Sequence, residues 1–150
     1  MSRFNVKTDN RKITHVIVFL MALLLSHLVR VVVYLCYKIN EEGGPYLSDE
    51  DYIESVKYEL SERKLNFRQN EYVELEYLGK PVDKHLIEFI IEDKILLDLK
   101  GRTLLRHKIF HKQLASYLKE KNLPLAFVVN FQSRRLQLRR IINPNFNYQL

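Results

Sequence analysis

The chain has 150 residues, 47% of them hydrophobic and 28% charged, with 24 Lys/Arg against 18 Asp/Glu for a net charge of +6. That length and apolar content fit one folded domain and exclude a globally disordered chain. The single cysteine, Cys36, excludes an internal disulfide and a cysteine-built zinc site, and is compatible with a reducing, cytoplasmic setting.

The charge is unevenly spread. Residues 1–39 carry six Lys/Arg and one acid, residues 40–99 seven against sixteen, and residues 100–150 eleven against one. The basic last third suits a polyanionic partner such as nucleic acid, with a solvated basic face as the plainer alternative.

Ile13 to Cys36 is mostly aliphatic and follows Arg3, Lys7, Arg11 and Lys12. Such a run approaches the length of a bilayer span, and its basic flank would put the N-terminus on the cytoplasmic side. His15, Ser26, His27 and Arg30 interrupt it, leaving the 17 residues Ile13–Val29 free of formal charge. No small-x-small cleavage pattern precedes Arg30, which argues against a secretory signal. A helix buried on the domain or in a homodimer is the preferred expectation, and a membrane anchor through residues 13–29 is the alternative.

Gly43-Gly44-Pro45 ends this first helix. Leu47–Lys64 reads as a second helix, with Ser48 as N-cap and Asp49, Glu50 and Asp51 in its first turn. Glu71–Tyr77 alternates polar and apolar like a half-buried strand, and Leu78-Gly79-Lys80-Pro81 turns it back. Val82–Ile91 and Lys94–Lys100 are the next two strands, and Thr103–Lys121 is a basic helix. Pro124–Phe131 is a buried strand, and Leu136–Ile142 is a last strand or a short helix. The order predicts an α/β fold, a mixed central sheet flanked by helices.

The chemistry concentrates between Glu88 and Lys100. With Glu92-Asp93 as a hairpin corner, Glu88 and Asp98 face each other across two strands, and Asp98 and Lys100 share a face. Two carboxylates and an ammonium on one sheet face form a seat for a hard divalent cation and an activated water. Asp49 is a further acid, although its place in the first turn of a helix already accounts for it. Gln113 and Tyr117 stand i, i+4 on one helix face, as do His107 and His111. No Glu completes an HExxH pattern, so the histidines are expected at the surface or on phosphate. Arg102, Arg106, Lys112, Arg134, Arg135, Arg139 and Arg140 are candidate phosphate contacts.

Glu88…Asp98-Leu99-Lys100 resembles the signature of the PD-(D/E)xK nuclease superfamily, and Gln113-Leu114-Ala115-Ser116-Tyr117 resembles its QxxxY motif. Gly44-Pro45-Tyr46-Leu47-Ser48-Asp49-Glu50-Asp51-Tyr52 is similar to the segment that names the GxxExxY proteins of that superfamily. Tyr58-Glu59-Leu60, Leu125–Phe131 and Arg139-Arg140-Ile141-Ile142 continue the likeness, which covers about residues 25–143. The pattern departs where Tyr46 stands for a glycine, Asp49 and Asp98 for glutamates, and Glu88 for an aspartate. Each carboxylate survives with its reach changed by one methylene, about 1.5 Å.

The resemblance implies a restriction-endonuclease-like core over residues 25–150, preceded by an extension over residues 1–24. It also implies Mg²⁺- or Mn²⁺-dependent hydrolysis of nucleic acid. Glu88, Asp98 and Asp49 would hold the metal, Lys100 would act beside it, and Gln113 and Tyr117 would support phosphate or metal-bound water. The other expectations are a catalytically inactive nucleic-acid-binding module and a membrane-tethered domain.

Overall fold

The computed structural model describes residues 10–149. Helix α1 (Asn10–Gly43) and helix α2 (Asp49–Glu62) lead into strands β1 (Phe67–Tyr77), β2 (Lys80–Ile91) and β3 (Ile95–Asp98). A short helix α3 (Gly101–Leu104) and helix α4 (Lys108–Glu120) then cross over to β4 (Leu125–Asn130), and β5 (Gln137–Ile142) closes the sheet. Spatial order equals chain order, β1-β2-β3-β4-β5. Every neighbouring pair is antiparallel except β3–β4. That parallel pair is the one that needs a long crossover, and the basic helical segment supplies it.

The sheet is covered on both faces, which accounts for the unbroken apolar runs in its centre. Ile95, Leu97, Phe127 and Val129 pack under α1 and α2, while Leu96, Ala126 and Val128 pack under α4. All four residues of β3 and all six of β4 are buried. β1, on the sheet edge, keeps the polar–apolar alternation of a half-exposed strand. Each fully buried Leu, Ile or Phe contributes about 1.5–3 kcal/mol relative to exposure.

Several elements differ from expectation for local reasons. Glu92 and Asp93 make the hairpin corner with left-handed backbones (φ 52° and 50°), but β3 stops at Asp98, so Lys100 reaches the site through a turn. The expected helix 103–121 is broken before His107, which caps α4 by accepting from the Phe110 amide at 3.0 Å. His111 Nε2 lies 3.0 Å from the Leu104 carbonyl oxygen across the break, and burial lowers its pKa. Both histidines therefore serve local structure here. Leu136–Ile142 resolves as a strand.

α1 is one unbroken helix whose two halves differ. Leu28, Val32, Leu35, Cys36 and Ile39 recur at helical spacing and pack on the sheet. Before Leu28 no described residue of the helix is fully buried, although Leu25 still packs against the core. Ile13, Val16, Ile17, Phe19, Leu20, Leu23 and Leu24 are all exposed, so the expected burial of this stretch on its own domain does not occur. α2 is tied to α1 by the buried Glu59, which takes Lys38 at 2.8 Å and also Arg63. Burial alone would raise the Glu59 pKa, but the hydrogen bonds from Lys38 and Arg63 bring it below its ordinary value.

Candidate active site at the carboxyl ends of the parallel strands

In sheets with parallel strands, ligands settle beyond the strands' carboxyl ends, where crossovers leave a crevice. Here β3 ends at Asp98 and β4 at Asn130, and a cleft of about 650 Å³ opens beside them. Its walls include Asp49, Tyr52, Glu88, Lys100, Arg102 and Gln132.

The β2–β3 register pairs Phe89 with Leu97 and Ile91 with Ile95. One rung further, Glu88 stands opposite Asp98. Both side chains are buried, and all four of their oxygens are engaged. Lys100 Nζ donates to Glu88 Oε1 at 2.6 Å, and the Leu99 amide donates to Oε2 at 3.0 Å. The Lys100 amide donates to Asp98 Oδ1 at 3.1 Å, and His85 Nε2 lies 2.7 Å from Oδ2. Lys100 Nζ also donates to the Leu86 carbonyl at 2.7 Å, so its head group is held from two sides.

The two carboxyl groups ionise differently. Burial first, then the negative charge and hydrogen bond of Asp98, push the Glu88 pKa up to about 7. Burial also acts to raise Asp98, but hydrogen bonds from His85 and Glu88 and the charge of His85 hold it below the ordinary carboxylate range. At about pH 7 Glu88 is therefore half protonated beside an ionised Asp98, as expected for two acids crowded out of water.

Gly101 lets the chain leave this site. A Cβ there would lie 2.3–2.5 Å from backbone atoms of Val129 and Asn130, so only glycine lets α3 lie flat across β4. Asn130 Oδ1 accepts from the Gln132 amide at 3.0 Å, and Gln132 reaches Asp49 at 3.0 Å. Asp49 thus stands on the cleft rim, and no contact ties it to Glu88 or Asp98. Tyr52 donates to the Gly44 carbonyl at 2.7 Å and stacks on Phe131, 5.0 Å between ring centres, closing the wall.

The remaining candidates divide. Arg102 lies in the cleft and donates to Gln132 at 3.2 Å, and the turn after Gln132 carries the exposed Arg134 and Arg135. Arg139 and Arg140 point to opposite faces of β5. Arg140 sits over Phe127, 5.6 Å from its centre, whereas Arg139 acts electrostatically on His111 of α4. Arg106 and Lys112 are exposed along the crossover. Gln113 and Tyr117 share a helix face, but that face lies over β1, with Gln113 donating to the Glu76 carbonyl at 3.0 Å. Glu71, Glu74 and Glu76 line the same groove, and neither residue lines the Glu88–Lys100 cleft. Burial, then the charge of Glu71, raises the Tyr117 pKa.

His85, Gly101, Asn130 and Gln132 were not legible as site residues. For His85 a signal existed. Two-residue steps back from the buried Ile87 put it on an inward face, where an imidazole needs a partner.

Comparison with known proteins agrees with this geometry. Neither a curated protein nor a solved structure matches the chain. The PD-(D/E)XK nuclease superfamily matches over residues 26–141, which takes in α2, strands β1 to β4, β5 up to Ile141, and the acid–acid–lysine cluster. The chain belongs to the PD-(D/E)XK nuclease superfamily.

Proposed function

We propose that this domain hydrolyses phosphodiester bonds in nucleic acid with Mg²⁺ or Mn²⁺, as a GxxExxY-type nuclease. The observation that carries the reading is the buried Glu88–Asp98 pair beside Lys100, in which burial and the charge of Asp98 push the Glu88 pKa up to about 7, so that Glu88 takes up a proton near neutrality. An all-oxygen donor set suits a hard divalent cation, which would take the place of that proton. Each carboxylate oxygen retains acceptor capacity beyond the one bond it makes. Among the described residues no cluster of three or more His, Cys, Asp or Glu gathers for a metal, so Glu88 and Asp98 would be the two side chains that hold it, with Asp49 in reserve at the rim.

The metal would supply charge neutralisation of the phosphate and a lowered pKa for the attacking water. Lys100, at the cleft edge, would steady the scissile phosphate or orient the water. Arg102, with Arg134 and Arg135 beyond Gln132, would hold the flanking polyanion. Arg106, Lys112, Arg139 and Arg140 are weaker phosphate contacts, since they spread over several faces. Gln113 and Tyr117 would have to act from outside the cleft.

A second reading, nucleic-acid binding without cleavage, is favoured by one observation. Lys100 is locked onto Glu88 and Leu86 while all four carboxylate oxygens are already satisfied within the chain. Calorimetric titration of Mn²⁺ into wild type and Asp98→Ala, with cleavage of labelled single- and double-stranded substrates on the same samples, separates the two. Hydrolysis requires binding and cleavage that both vanish in the variant. A folded wild type that binds nucleic acid but neither metal nor product would leave the binding module.

A further inference from the structure

The first half of α1 has no function in the site chemistry, and its exposure is the largest anomaly on this molecule. Ile13, Val16, Ile17, Phe19, Leu20, Leu23 and Leu24 are 41–69% exposed. At 100° per residue the ten residues Val16–Leu25, all apolar, pass almost three times round the helix and leave no polar side. A helix that docks in a groove or a two-stranded coil shows one apolar stripe and a polar back. Pairing with a second copy would cover one stripe and leave the other faces in water. An apolar helix without a polar face is matched by a solvent that surrounds it.

Its ends fit the same occupant. Arg11 and Lys12 precede Ile13, Arg30 follows Val29, and no Asp or Glu lies between. From Lys12 to Arg30 the rise is about 27 Å, close to the hydrocarbon thickness of about 30 Å, and the long cationic side chains can reach outward to phosphate level. The domain approaches the helix from Met21 onward, where Met21, Leu24 and Leu25 line a cavity of about 620 Å³ together with Arg63, Glu92 and Lys94.

We propose that the apolar first half of α1 is a bilayer anchor that holds the domain at the membrane surface. The proposal is independent of the nuclease reading.

The test uses the full chain, purified in detergent and exchanged into phosphatidylcholine vesicles with or without phosphatidylglycerol, then floated through a gradient before and after carbonate extraction. Wild type floats with both vesicles and resists carbonate. Leu20→Arg, near the middle of the span and 52% exposed, floats about a hundredfold less, the penalty of a mid-bilayer arginine, with an unchanged thermal unfolding curve for the domain. Wild type that leaves the vesicles in carbonate, or that floats only with the anionic ones and is stripped by salt, overturns the proposal. So does a monodisperse dimer in detergent-free buffer, which would assign the helix to a second copy.

Discussion

Replacing Glu88 by Gln tests the central electrostatic claim without any substrate. Glu88 ionises at about 7 in the fold, against an ordinary value of 4.5. The folded chain therefore binds more protons than the unfolded chain between those two values. Stability from this group falls as pH rises across the interval and stays low above it. At about 1.4 kcal/mol per pH unit, the gap amounts to about 3 kcal/mol. Glutamine cannot ionise. It keeps one acceptor for Lys100 or the Leu99 amide but not both, a pH-independent loss of about 1 kcal/mol. Urea unfolding of both proteins, at half-unit steps from about pH 4.5 to 8, gives a difference curve in which the other groups cancel. The variant gains about 3 kcal/mol on wild type from the acid end to the alkaline end. Parallel curves, with a constant offset throughout, would refute the account of a carboxyl kept protonated by burial beside Asp98.

Two further outcomes follow from packing. Gly101→Ala forces a methyl into the Val129–Asn130 backbone and costs about 1–3 kcal/mol in chemical denaturation; because Lys100 is the preceding residue, it also reduces any metal binding by the site. Asn143→Ala removes the buried amide that donates to the Leu118 and Leu123 carbonyls at 3.2 and 3.0 Å. It costs about 2 kcal/mol, read as a lower urea midpoint, with amide exchange at the C-terminal end of α4 accelerated first.

The hairpin from Glu88 to Lys100 was readable because the residues themselves carried both the apolar runs and the polar corner, and strand register then follows by counting. The two-sided cover of the sheet was readable for the same reason, since β3 and β4 show no alternation. The interruption between α3 and α4 carries no Gly or Pro to announce it. It arises from tertiary packing and capping, with Gly101 pressed on β4 and the exposed His107 serving as the N-cap of α4. Lys100 illustrates the same limit. A strand through residue 100 would give it the face of Asp98, yet it arrives by a turn and meets Glu88 instead. The first half of α1 was ambiguous because identical apolar residues serve a core, a dimer or a bilayer, and the exposure of Ile13–Leu24 argues only against burial in the chain's own core.

The continuity of α1 sets a distance. Gly43, at its far end, adjoins the cleft through the Tyr52 bond to Gly44, while Leu28 is the first buried residue of the helix. The intervening fifteen steps raise the cleft by about 22 Å. With no flexible tether between, an embedded helix would act as a mast of fixed height. The open cleft would then be held at that height above the headgroups, and a long polymer would be met there. The domain would sample it by diffusing in two dimensions, its orientation already decided.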